Sequence, residues 1–329
     1  MTMRENTGAI SPEGPAMHTN RPLQRAALFV ALVATVPYLL LKLLWLTGST
    51  VGMTAPDGLE EMGSTRFVAG NSITVLLMVV AAVFVVALTR SWADRVPARL
   101  VFVLGAGATG LLAPILVGMP VGIAVQAVVR GDVGPAGETG MAPWVFGVVY
   151  TGFGLLGLAM AVLMAGHVLD RWGALISRPP RRPSWAATSV GALGLVPFGV
   201  AMTTWGLWGP GDNGPQGMDL PAQRSVLVVT GVLSLAAFVL PWLSDTTRRR
   251  PRLAWLVTWT GCCVAALEGP THILLAQRGR VELAVALIAV FSTPGACVYG
   301  LSILRQRVSQ GVQSMQPVSS RRRAGDPVA

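Results

Sequence analysis

Eight runs of apolar residues alternate along the chain with short polar gaps, near residues 26–47, 71–89, 100–120, 144–168, 185–208, 225–243, 254–276 and 283–304. A helix rises 1.5 Å per residue, so each run approaches the ~20 residues that cross ~30 Å of hydrocarbon. A run of that length in lipid must satisfy its backbone hydrogen bonds within itself, which selects helices. The pattern predicts an all-α polytopic transmembrane helix bundle of about eight spans over residues 26–304. A disordered cytoplasmic tail, 1–25, is expected before it, and a basic cytoplasmic tail, 305–329, after it. The third run has the softest end, because apolar character continues from Val121 to Val129 beyond Pro114 and Pro120, as a longer helix or an interfacial stretch. Either Met1 or Met17 fits as the start, and no small-residue cleavage site follows the first run, which disfavours a cleavable signal peptide.

Charge gives the orientation. Only 12% of the 329 residues are charged, about half the share of a soluble domain. Nineteen arginines fall in the two tails and in the gaps around 90–99, 171–182 and 248–252; five, Arg66, Arg130, Arg224, Arg278 and Arg280, fall in the alternate gaps. That asymmetry predicts both termini in the cytoplasm of a cell with this chain in its plasma membrane. Tryptophans agree, with Trp45, Trp144, Trp205 and Trp208 near outer ends and Trp172, Trp185, Trp242 and Trp255 near inner ends. The lipid bilayer is the partner that this composition demands, and Arg321, Arg322 and Arg323 suit anionic headgroups. Nucleic acid is not an expected partner despite the net charge of +10, because the membrane separates the basic clusters. No protein partner can be named. The longest outer gaps carry Asp57, Glu60, Glu61, Asp132 and Glu138, which read as solvated loop acids.

The two halves resemble each other. Val36-Pro37-Tyr38 followed by Trp45 recurs as Val196-Pro197-Phe198 followed by Trp205, and Gly105 to Pro114 recurs in spacing as Gly261 to Pro270. The offsets, 160 and 156 residues, nearly agree. Four spans per copy would make a 4+4 parallel repeat, a construction many carriers use.

Familiar chemical motifs fail on context. Gly105-Ala106-Gly107-Ala108-Thr109-Gly110 matches the dinucleotide fingerprint, but it lies in an apolar span with no preceding strand, and close helix packing explains it better. Gly209-Pro210-Gly211-Asp212 lies in an outer gap and lacks a second intramembrane aspartate for aspartyl proteolysis. Gly166, Asp170, Arg171 and Gly173, in an expected cytoplasmic loop, partly resemble the loop signature of major-facilitator carriers. Under ten residues are involved, and Ala174 and Ile176 stand where further basic residues would be, so no function follows from it. Cys262, Cys263 and Cys297 lie in apolar runs and read as free thiols. Three histidines without ligand spacing give no metal site, and no cofactor is expected.

What remains is a set of ionisable residues inside the spans: Lys42, the single lysine, with Glu268 and His272. A Lys or Asp at a helix centre costs about 2.5–3.5 kcal/mol on the insertion scale, so such residues usually have a partner or a task. Thr258, Gly261, Ala265, Glu268 and His272 follow 3 and 4 residue steps and share one face of the seventh span. Thr35, Tyr38, Lys42, Trp45 and Ser49 do so on the first. Lys42 lies about 8–9 Å outward of the middle of its span, Glu268 about 4–5 Å and His272 about 10 Å outward of theirs. Lys42 therefore falls between the two in height, which predicts a Lys42–Glu268 ion pair with His272 one turn above, beside Pro270, whose missing N–H frees a carbonyl. The same residues also suit a purely structural pair that docks two helices, and Lys42 also has the reach to snorkel outward alone.

The expected site is therefore Lys42, Glu268, His272, Tyr38 and Thr258, with no catalytic, cofactor or metal residue assigned. The function best suited to it is a small-molecule or ion permease, proton coupled through the histidine and carboxylate. The alternatives are a non-catalytic membrane partner, such as a sensor, immunity or assembly subunit, and an intramembrane enzyme acting on a lipid or isoprenoid. The enzyme is disfavoured, because it needs further polar residues converging on the site.

Overall fold

The computed structural model describes residues 21–54, 62–90, 95–131, 141–274, 276 and 281–314. The N-terminal tail to residue 20, the Arg321–Arg323 triplet and the outer-gap acids named above lie outside them. Among the described residues eight long helices follow one another: α1 Arg21–Leu46, α2 Thr65–Leu88, α3 Ala98–Arg130, α4 Pro143–Ile176, α5 Trp185–Trp208, α6 Pro221–Val239, α7 Pro251–Leu274 and α8 Leu283–Ser314. A 3₁₀ turn, Leu240–Trp242, and a six-residue helix, Ser244–Arg249, join α6 to α7. The chain is an all-α polytopic helix bundle; among the described residues the extended pairing is a single bridge, Met53 to Met141.

The helix ends follow local chemistry. Prolines open α4, α6 and α7, where a missing N–H costs nothing. Ser64 and Ser184 cap α2 and α5 by accepting the N–H of Phe67 and Ala187. Gly131, at φ 73°, ends α3 in the left-handed region. Residues 121–129 belong to α3, which at 33 residues is one continuous helix through Pro114 and Pro120. α1 starts at Arg21 and α8 runs on to Ser314, so helix reaches into both expected tails. The Gly166–Gly173 segment is helix rather than loop: α4 continues through it and breaks at Trp172 (φ −129°, ψ 17°).

Large apolar side chains such as Phe29, Leu76, Val103, Leu193 and Leu256 face outward, a surface that lipid accepts and water does not. Seven of the eight long helices are long and apolar enough to cross a membrane. The other, α7, is as long as α5 but carries Thr258, Thr260, Glu268, Thr271 and His272, and it packs among α3, α6 and α8. Enclosure by neighbours rather than lipid makes that polarity tolerable.

The core divides by halves. Ala31, Tyr38, Val85, Leu156, Met160 and Leu163 of α1, α2 and α4 form one cluster; Leu195, Phe198, Met202, Ala265, Tyr299 and Ile303 of α5, α7 and α8 form another. The neighbour relations α1–α2, α1–α4 and α3–α4 recur as α5–α6, α5–α8 and α7–α8. A Cβ on Gly152 would lie 3.1 Å from the Ala34 carbonyl, and one on Gly194 2.6 Å from the Phe291 carbonyl, so α1 crosses α4, and α5 crosses α8, at Ala34 and Gly194. These two positions are 160 residues apart, the offset of the Pro-to-Trp pattern. The halves meet where Gly110 of α3 touches the Cys263 backbone, and where Gly118 and Gly122 admit Val226 and Ala222 of α6.

Candidate functional site

Pro251 starts α7, and from there the 3.6-residue period carries Thr258, Gly261, Ala265, Glu268 and His272 along one side. Gly261 fixes which side: a Cβ there would run into the Leu233 carbonyl, so this face meets α6. Glu268, two turns outward and 7% exposed, ends beside His272, with Nε2 3.7 Å from Oε2. The imidazole is one turn further on the same helix, as an i, i+4 pair must be. Inward along the seam, the hydroxyls of Thr258 on α7 and Thr230 on α6 are buried and make no hydrogen bond. His272 Nε2 is likewise buried without a hydrogen-bond partner at 3.7 Å from the carboxylate. Buried polar groups normally are partnered, so the three atoms of this seam stand out in the described interior.

Pro270 removes the N–H that would bond the Ala266 carbonyl. Thr293 of α8 donates its hydroxyl to that carbonyl at 2.8 Å. The oxygen expected to be free is taken, and the bond instead ties the kink to α8. Alongside, Gly269 lets α8 approach until a Cβ would meet Ala289 Cα at 2.8 Å.

Lys42 is elsewhere. α1 packs on α2 and α4, α7 on α3, α6 and α8, and no ion pair links Lys42 to Glu268. Height along a helix leaves the direction around the bundle open, and the two residues belong to different halves. The ammonium of Lys42 lies instead over the rings of its own helix neighbours, 5.1 Å from the centroid of Tyr38 and 4.5 Å from that of Trp45. Tyr38 in turn meets Phe153 of α4 edge-on at 5.0 Å, and Trp45 donates its indole N–H to the Val51 carbonyl. Of the five expected site residues, the structure thus brings Glu268 and His272 together, sets Thr258 on their face, and holds Lys42 and Tyr38 apart from them.

Neutral polar residues complete the interior and were not selected from the sequence, where ionisable groups drew the attention. Asn71 on α2, Thr230 and Ser234 on α6 and Ser292 on α8 are all buried. A lone amide or hydroxyl within an apolar run was the available signal. The three cysteines are free thiols, Cys262 and Cys263 buried and Cys297 exposed on the flank of α8. Among the described residues no three His, Cys, Asp or Glu side chains gather as metal ligands would. Comparison with protein families, with curated proteins and with solved structures gave no match.

Proposed function

We propose that the protein is a multi-pass permease of the plasma membrane, with eight spans and both termini cytoplasmic, in which the Glu268–His272 couple exchanges protons during transport. The observation that carries this reading is a carboxylate and an imidazole 3.7 Å apart on one enclosed, proline-bearing helix. An intramembrane acid is costly unless it has a task, and histidine is the side chain whose ordinary titration spans neutral pH. A proton can pass between the two groups without entering lipid. The unbonded hydroxyls of Thr258 and Thr230 lie along the same seam, where polar groups could carry it inward. The 4+4 recurrence of helix contacts supports a carrier, because two similar halves rocking about a shared interface is how such proteins alternate access.

Two measurements test this reading. Reporter fusions after residues 95, 178, 248 and 310 should read as cytoplasmic, and those after 58, 135, 215 and 279 as external; one reversed site would break the eight-span topology. Liposomes containing the purified protein and an entrapped pH dye should respond to an imposed ion or pH gradient faster than empty liposomes. No response under any gradient would remove the permease and leave a non-catalytic membrane partner as the better reading.

A further inference from the structure

We propose that Lys42 anchors an anion-binding site between α1 and α2, taking the carboxylate or phosphate of an amphiphilic ligand whose apolar body lies against Tyr38, Trp45 and Phe67. Among the described residues Lys42 makes no ion pair and no hydrogen bond. A lone lysine near a membrane surface usually extends outward to water, which would carry its ammonium past Trp45. Here the ammonium lies over Tyr38, four residues inward, as well as over Trp45, three residues outward. It is held at its own depth, on the buried side of α1. Two aromatic faces return about 0.5–2 kcal/mol each to a cation, which stabilises the charge without neutralising it.

A second polar group stands at the same level. α1 and α2 run antiparallel: Phe67, in the first turn of α2, meets Trp45 near the end of α1 with ring centroids 6.0 Å apart. One turn inward on the same face of α2 is Asn71, which on the antiparallel neighbour corresponds to the level of Leu41 and Lys42. Asn71 is 4% exposed and donates one amide N–H to the Phe67 carbonyl at 2.9 Å, which aims the group and leaves its second N–H without a partner among the described residues. An ammonium held over two aromatic rings and an amide N–H counted to the same level on the neighbouring helix would supply the donors for one anionic group. Under the 160-residue offset Lys42 corresponds to Met202, which is buried in the core of the second half, so this site belongs to one half alone.

The inference deepens the permease reading by naming its substrate class, but it is tested at equilibrium. Lys42 is the only lysine, so reductive methylation followed by mass spectrometry reads this one side chain, with the chain's α-amino group as internal control. In phosphatidylcholine nanodiscs, benzoate should slow methylation of Lys42 saturably, by about fivefold or more, while neutral benzamide should not. Protection by added phosphatidylglycerol and not by benzoate would equally support the anion site and assign it to a lipid headgroup. Lys42→Met should abolish thermal stabilisation by the protecting anion, and Asn71→Leu should weaken it about tenfold, the loss of one charge-assisted hydrogen bond. Equal methylation with every anion, or equal protection by benzamide, would overturn the proposal on the unaltered protein. Protection without flux would keep this site and remove the permease; flux without protection would do the reverse.

Discussion

Replacing Glu268 by Gln should bring gradient-driven proton movement down to that of empty liposomes while leaving the bundle folded. Glutamine keeps the shape of the side chain and can hydrogen-bond His272 across the 3.7 Å gap, but it cannot bind and release a proton. The apolar packing of α7 against α3, α6 and α8 does not depend on that charge, so melting in detergent should shift by only a few degrees. His272→Gln separates the two partners. If carboxylate and imidazole titrate as one unit, removing the imidazole should displace the pH profile of transport by about a pH unit or more, with activity retained at some pH. A couple that serves only to brace α7 gives the opposite pattern: no flux to lose, and a stability loss of about 1–3 kcal/mol from a partner left unsatisfied in the interior. Measuring flux and melting on the same two variants distinguishes these outcomes.

The residues on which these expectations rest differ in how readily the chain reveals them. Lipid imposes a strong one-dimensional code, so the span from Trp185 to Trp208 could be bounded from the sequence to the residue, and residues 121–129 were already in doubt for the right reason. Position along a helix axis can be counted at 1.5 Å per residue. The direction each helix takes around the bundle is not written in apolar runs that are hydrophobic on every side. Lys42, between Glu268 and His272 in height, therefore pairs with the carboxylate on the sequence alone, whereas the contacts set α1 and α7 among different neighbours. The 160-residue offset maps Ala34 onto Gly194, the points where α1 and α5 cross their partners. Asn71, Thr230 and Thr293 were harder to see. They are neutral, they cost little in an apolar run, and their significance depends on what lies opposite, such as the Ala266 carbonyl that Thr293 caps.

The glycines of α3 allow a sharp test of where the halves meet. Sequence assigns Gly105, Gly107 and Gly110 to close packing without ranking them; the structure ranks them. A Cβ at Gly107 meets nothing within 4 Å. One at Gly105 meets the end of the Met164 side chain at 2.7 Å, a flexible thioether that can move aside. One at Gly110 lies 2.5 Å from the Cys263 carbonyl oxygen and 2.9 Å from its carbon, backbone of α7 that can yield only if the two helices separate. Gly110→Ala should therefore cost about 1–3 kcal/mol, and Gly110→Leu should leave little monodisperse protein in detergent. Gly107→Leu should be silent or slightly stabilising, since a glycine inside a helix costs about 0.5–1 kcal/mol relative to alanine. The contrast bears on function as well as stability, because Cys263 is five residues before Glu268 on the same helix, and parting α3 from α7 opens the wall beside the acid. Gly110→Ala, where it still folds, should then pass protons less selectively than the unaltered protein, reading as leak rather than as loss. Equal melting of Gly110→Leu and Gly107→Leu would mean that α3 and α7 do not touch at this point, and the contact between the two halves would have to be sought elsewhere.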